Sequence, residues 1–202
     1  MGFLSLFISA VFIYHINNYK RMLAYSSIEN MGILAIGTAL GQLGMLAALI
    51  HLIGHSFIKA SFFMTAGNIL KIYDTKKIKS VTGLLAKDNK TGWLWIISCL
   101  GIVAFPPSLL FISEFLIVKT MFMKGYYCMS AVFLLLLTIV LYGLTKAVFN
   151  MIHSSYEPNH SKEQIKITYA MYIPQAVLLI LAFVMGIYLP YADIITGAVK
   201  GF

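Results

Sequence analysis

Charge is scarce in this 202-residue chain: only 11% of its residues are charged, and just seven of them are acidic. An ordinary soluble domain carries about 25% charged residues, so the composition excludes that class. It also excludes a disordered chain, which needs high charge and little apolar content. Cysteine is rare too. Cys99 and Cys128 are the two present, and neither has a CxxC partner or metal-ligand spacing. A disulfide scaffold and a cysteine-bound cluster are therefore excluded, and both residues read as apolar packing. There is no Gly-rich nucleotide loop, so no redox cofactor is expected in this chain. Residues 1–16 lack a basic first region and a small-residue cleavage signal, so no cleavable signal peptide is expected. Low-complexity tracts, short-period repeats and a soluble domain are likewise missing.

What the chain has is apolar residues, 60% of the total, with a mean hydropathy of +0.86. The apolar runs are too long, and alternate too little, for barrel strands. A helical crossing needs roughly 20 residues. The runs are Gly2 to Ile16, Met22 to Leu40, Met45 to about Leu70, Thr91 to Lys124, Tyr126 to Ile152, and Ile167 to Leu189. Pro106-Pro107 interrupts the fourth run, leaving pieces of about 15 residues, too short for two crossings. Read as one broken crossing, the run makes six spans. Lys20, Arg21, Lys71, Lys76, Lys77, Lys79, Lys87, Lys90, Lys162 and Lys166 then share one side, leaving Lys119, Lys124 and Lys200 for the other. Seven spans would weaken that asymmetry, so the positive-inside rule selects six, with basic loops cytoplasmic and both termini outside. The rule also accounts for the net charge of +8 without a nucleic-acid partner. The expected fold is all-α: one polytopic transmembrane domain over 1–202, its fourth helix broken, in contact with the lipid bilayer.

Ionisable residues inside spans are costly and are functional candidates by default. The sharpest set is His51, His55 and Lys59. Each four-residue step turns roughly 40° and rises about 6 Å, so the three form one polar stripe on a helix face. Two imidazoles and a central lysine at this spacing suit a proton wire. The plainer reading has the histidines hydrogen-bonding across helices and Lys59 reaching for the interface. A zinc site is a rival for the HxxxH pair, with Glu29 or Glu114 supplying acidic ligands; haem is disfavoured because one helix cannot give both axial ligands. Glu114 lies just past the proline break, and irregular backbone at membrane depth is tolerated where it lines protein or a watery cavity. The alternative puts it at the outer interface. Glu29, flanked by Ser26, Ser27 and Asn30, is open to functional and structural readings alike. Lys146 either joins the polar axis or snorkels inward; His15 reads as interfacial and Lys119 as outward-snorkelling.

These residues carry a family resemblance. Lys20 to Gly32 (KRMLAYSSIENMG) resembles the KR-LLAYSS-IEHMG segment of antiporter-like membrane subunits. His51 to Asn68 (HLIGHSFIKASFFMTAGN) resembles their H-x3-H-x3-K helix, and Pro106 to Ile117 (PPSLLFISEFLI) their broken helix. The family comprises proton-conducting subunits of respiratory complex I, Mrp-type cation/proton antiporters and membrane-bound [NiFe] hydrogenases. The AYSSIE and SEFLI forms are most similar to the component F branch of hydrogenase-4. Asn30 stands where that branch usually has His, and Ser108 where Phe is usual.

The resemblance implies about 14 helices in the family, including two inverted repeats, of which this chain resembles the second plus the final helix. It implies Lys59 as the central-axis lysine, His51 and His55 as its relay neighbours, and Glu114 as the carboxylate on the exit side. The expected function is proton translocation within a redox-driven complex, hydrogenase-4-like or NADH:quinone oxidoreductase-like. The redox chemistry then sits in partner subunits of a prokaryotic plasma-membrane assembly. The alternatives are an Mrp-type secondary antiporter and a non-conducting structural subunit. Without the first repeat, the chain is expected to be a fragment, a split-gene product completed by another chain, or a remnant.

Overall fold

A computed structural model describes residues 1–153 and 167–188. The helices are α1 (Gly2–His15), α2 (Tyr19–Ala39), α3 (Gln42–Tyr73), α4 (Leu84–Lys87), α5 (Asn89–Ile102), α6 (Leu109–Met123), α7 (Tyr127–His153) and α8 (Tyr169–Tyr188). Three of them, α3, α7 and α8, are each long and apolar enough to cross a membrane. Outward-facing side chains are bulky and apolar, among them Phe7, Leu135 and Ile180, each more than half exposed. A solvated protein rarely shows so much apolar surface.

Helix ends follow local chemistry. Asn18 caps α2 by accepting from Lys20 N at 3.0 Å and Arg21 N at 3.2 Å, the usual role of an Asx N-cap. Gly41, at φ +84°, makes the tight α2–α3 reversal, a conformation that costs other residues more. Ser108 caps α6 through Phe111 N at 3.2 Å.

The fourth run is one broken crossing. Both α5 and α6 lie along the 32-residue α3 and share no extended contact with each other. The break spans 103–108, with Ala104 left-handed at φ +54°. α8 closes over it: a Cβ on Gly186 would overlap the Pro107 carbonyl oxygen.

The long polar segment is more ordered than its composition implies. Instead of an open loop over 71–90, α3 continues to Tyr73, a 3-10 turn covers Ile78–Ser80, and α4 follows. Ile78, Val81 and Leu84 are buried, and that apolar burial folds the segment against the bundle. Backbone bonds from Tyr19 N to Lys76 O (3.1 Å) and from Ile78 N to Asn17 O (3.0 Å) tie it to the α1–α2 turn. The deep core here is Trp95, its ring 4.4 Å from Phe62 and edge-on to Tyr19. The loop with Glu157, Lys162, Glu163 and Lys166, and the tail with Lys200, lie outside the described residues.

Candidate functional site

The α3 stripe faces inward. His51 is fully buried, and His55 and Lys59 are each 6% exposed. Residues four apart share a helix face, and the two imidazoles lie 6.3 Å apart, within 8° of parallel. Lys59 sits near the middle of α3, too deep to reach the interface. Its Nζ turns onto α2, donating to the Leu23 carbonyl at 2.6 Å and to the Ser26 hydroxyl. Both partners are neutral oxygens.

His51 joins three helices. Its Nε2 lies 3.0 Å from Asn30 Oδ1 on α2 and its Nδ1 2.9 Å from Ser113 Oγ on α6. Asn30 Nδ2 donates to the Ser26 carbonyl at 2.6 Å, which orients its Oδ1 toward the histidine as an acceptor. Ser113 also lies 2.7 Å from the Leu110 carbonyl. That geometry gives the imidazole two satisfied protonation states. Neutral, it donates from Nε2 and accepts the Ser113 hydroxyl proton at Nδ1. Cationic, it donates from both nitrogens while Ser113 turns its proton to Leu110. A small hydroxyl rotation separates the two.

Lys59, Ser26, Asn30, His51 and Ser113 thus form one polar line through α3, α2 and α6, in two stretches that adjoin at Ser26: its hydroxyl receives Lys59 and donates to the Leu23 carbonyl, and its backbone carbonyl receives Asn30. Along it, Nδ1 of His55 is buried without a hydrogen-bond partner. Leaving such an atom unpaired costs about 1–3 kcal/mol.

Glu29 and Glu114 stand beside this line. Glu29 precedes Asn30 and Glu114 follows Ser113, so both are placed by the residues that hold His51. Both line one cavity of about 130 Å³, walled by Ile102, Val103 and Ala104 of the break and by Thr138 of α7. The helix break therefore opens space beside two carboxyl groups, as expected where irregular backbone sits at depth. Among the described residues, no three His, Cys, Asp or Glu side chains converge as a metal site would require.

Lys146 does not join the cluster. It is exposed on α7, its Nζ 5.5 Å from the Tyr14 ring and 5.6 Å from the Tyr142 ring. It lines a separate pocket with His15.

Sequence reasoning did not pick out Ser113, or a second polar knot where α8 meets α3. There Ser61 Oγ donates to the Gln175 carbonyl at 3.0 Å, and Thr65 Oγ1 and Asn68 Nδ2 donate to Gln175 Oε1 at 3.0 and 3.3 Å. The i, i+4, i+7 spacing of Ser61, Thr65 and Asn68 was the available signal.

The family described as NADH:quinone oxidoreductase/Mrp antiporter, TM matches residues 1–140. This chain belongs to that family. The matched residues include Glu29, His51, His55, Lys59 and Glu114, and stop short of Lys146. The hydrogenase-4 component F homolog of Methylacidiphilum infernorum is 31% identical over 192 residues, covering 94% of this chain and 39% of that protein. An Na(+)/H(+) antiporter subunit of Alkalihalophilus pseudofirmus is 28% identical over 148 residues, covering 73% and 30%. The chain therefore spans less than half the length of these curated relatives. Among solved structures, the membrane-bound sulfane sulfur reductase, an archaeal respiratory membrane complex, superposes with a TM-score of 0.83. The identity is 23%, with 92% of this chain and 31% of that one covered, so the likeness is one of fold. The expected all-helical, polytopic, antiporter-like architecture is borne out, and the chain is an integral membrane protein.

Proposed function

We propose that this chain forms the proton-conducting half of a membrane subunit in a redox-driven complex. The observation that carries the reading is the polar line from Lys59 to Ser113, two hydrogen-bonded stretches that meet at Ser26, buried between apolar helices. Buried polar groups at membrane depth are expensive and persist where they serve transport. Lys59 holds or releases a proton against the Leu23 carbonyl and the Ser26 hydroxyl. His51 passes a proton by alternating between its two bonding patterns, with His55 Nδ1 as a receptive nitrogen between the two. Glu29 and Glu114 take up or discharge protons at the cavity beside the helix break. Energy reaches the line as a change in charge or hydration near Lys59, driven by partner subunits that carry the redox centres. The basic loops face the cytoplasm of a prokaryotic cell, and a separate chain or segment supplies the other repeat.

The similarity to an Na(+)/H(+) antiporter subunit favours a second reading, cation/proton exchange without redox coupling. It would use the same residues.

The test is Lys59→Met in the complete complex, reconstituted in sealed vesicles. The proposal expects proton translocation to fall on the order of a hundredfold, as for loss of a positioned proton donor, with electron transfer in the soluble arm retained. Wild-type translocation in that variant would reject the role of Lys59. Sodium-dependent proton flux in vesicles without redox substrate would favour the antiporter reading.

A further inference from the structure

The α1–α7 seam carries a second polar feature, outside the proton line. Its pocket, about 240 Å³, is lined by Tyr14, His15, Asn17, Lys79, Lys146 and Asn150, with Ile13, Ile16, Ile78, Gly143 and Ala147 as its apolar wall. Two lysines and a histidine line it, and among the described residues no acidic residue does. Three segments build it. The α1–α2 turn is fixed to the basic segment by the backbone bond from Ile78 N to Asn17 O at 3.0 Å, which presents Lys79. α7 comes close enough to α1 that a Cβ on Gly143 would sit 2.7 Å from Ile13 Cγ2. The Tyr14 and Tyr142 rings stack across the seam at 6.2 Å, and Lys146 stands 5.5 and 5.6 Å from them.

The depth is that of a membrane interface. Lys146 lies roughly 28 Å of helical rise from Tyr127 at the start of α7, close to the ~30 Å hydrocarbon thickness. Below the pocket the seam is apolar and outward-facing. Phe7 and Val11 on α1 precede Tyr14 by seven and three residues; Leu135 and Ile139 on α7 precede Tyr142 by the same intervals. All four are exposed. α1 and α7 pack on each other, and as first and fifth crossings they run in the same direction, so these exposed side chains lie along the apolar seam that leads up to the cationic pocket.

We propose that this pocket binds the phosphate headgroup of an anionic phospholipid, with one acyl chain along the Phe7–Leu135 seam. Lys79 and Lys146 pair with the phosphodiester, Asn17 and His15 supply further polar contacts, and the tyrosines stand at headgroup level, where amphipathic rings are favoured. Charge complementarity selects an anion, and the adjoining apolar seam selects a lipid over a free ion. Basic pockets between transmembrane helices suit such headgroups. The inference does not depend on the proton line, because the two sites share no residue.

The test is native mass spectrometry of the complex after delipidation and incubation with mixed micelles of phosphatidylglycerol and phosphatidylcholine. The wild type is expected to retain phosphatidylglycerol selectively. A Lys79→Gln/Lys146→Gln variant is expected to lose about tenfold or more of that retention, with phosphatidylcholine adducts unchanged. Lys124→Gln, at the opposite end of the bundle, should retain the lipid as wild type does. Lys146→Arg, which keeps the charge, should do the same and guards against a folding defect in the double variant. Equal retention in wild type and double variant would overturn the proposal. So would displacement of the lipid by millimolar inorganic phosphate, which would assign the pocket to a free anion.

Discussion

Lys59 and Lys146 are the same side chain set into similarly apolar helices, and their surroundings give them opposite fates. Lys59 points into the α2–α3–α6 seam, where the Leu23 carbonyl and the Ser26 hydroxyl receive it. Lys146 points out of the α1–α7 seam, where two tyrosine rings stand beside it and the pocket opens. The first seam is polar and closed; the second is aromatic and open to the bilayer. A lysine in a membrane helix takes its role from the groups on the facing helix, which its own sequence neighbourhood does not reveal.

The largest expected difference is functional. Lys59→Met is expected to lower proton flux on the order of a hundredfold, whereas Lys146→Met should change it less than about twofold, because only the former touches the proton line. Proton uptake by vesicles holding each variant checks this, and similar losses in both would erase the distinction between the seams.

His51→Phe sharpens the comparison from the structural side. It removes the partner of Asn30 Oδ1, while Ser113 Oγ keeps the Leu110 carbonyl; the one buried polar atom left unpaired costs about 1–3 kcal/mol. A clear fall in thermal midpoint is expected along with loss of flux. His15→Phe, at the exposed α1 end, should leave the midpoint nearly unchanged.

Glu114→Gln should separate transport from stability. The amide keeps the shape and fits the cavity, so stability should change by no more than about 1 kcal/mol, while proton flux falls roughly tenfold or more for want of a titratable group. Unaltered flux would remove Glu114 from the path. The smallest effect on flux is expected at the open seam. Gly143→Ala would set its Cβ 2.7 Å from Ile13 Cγ2, a methyl on the branched Cβ of a buried residue, with the Ile13 backbone behind it; β-branched side chains are stiff, so overpacking should cost about 1–3 kcal/mol, read as a fall in thermal midpoint with flux intact.

Much of this was legible in the sequence. The apolar runs mark the crossings, Pro106-Pro107 marks the break, and the four-residue spacing of His51, His55 and Lys59 puts them on one face. That periodicity defines a face and leaves its neighbours unspecified. Ser113 looks like any small residue in an apolar helix until α6 packs on α3 and sets it 2.9 Å from His51. Asn30 gains its purpose only because the Ser26 carbonyl orients it. Segment 71–90 reads as a polar loop because its lysines dominate, while Ile78, Val81 and Leu84 do the burying. The placement of Lys146 depended on the α1–α7 contact, which no local pattern encodes.

The central claim is that Asn30 and His51 act as adjacent links of one line rather than as separate polar residues. A double-mutant cycle on proton flux, with Asn30→Ala, His51→Gln and both together in the complete complex, tests it most directly. Residues in one hydrogen-bonded network are non-additive, so the account predicts that the double variant conducts about as well as the poorer single variant. Losses that multiply would mean the two residues act independently, and would contradict the line.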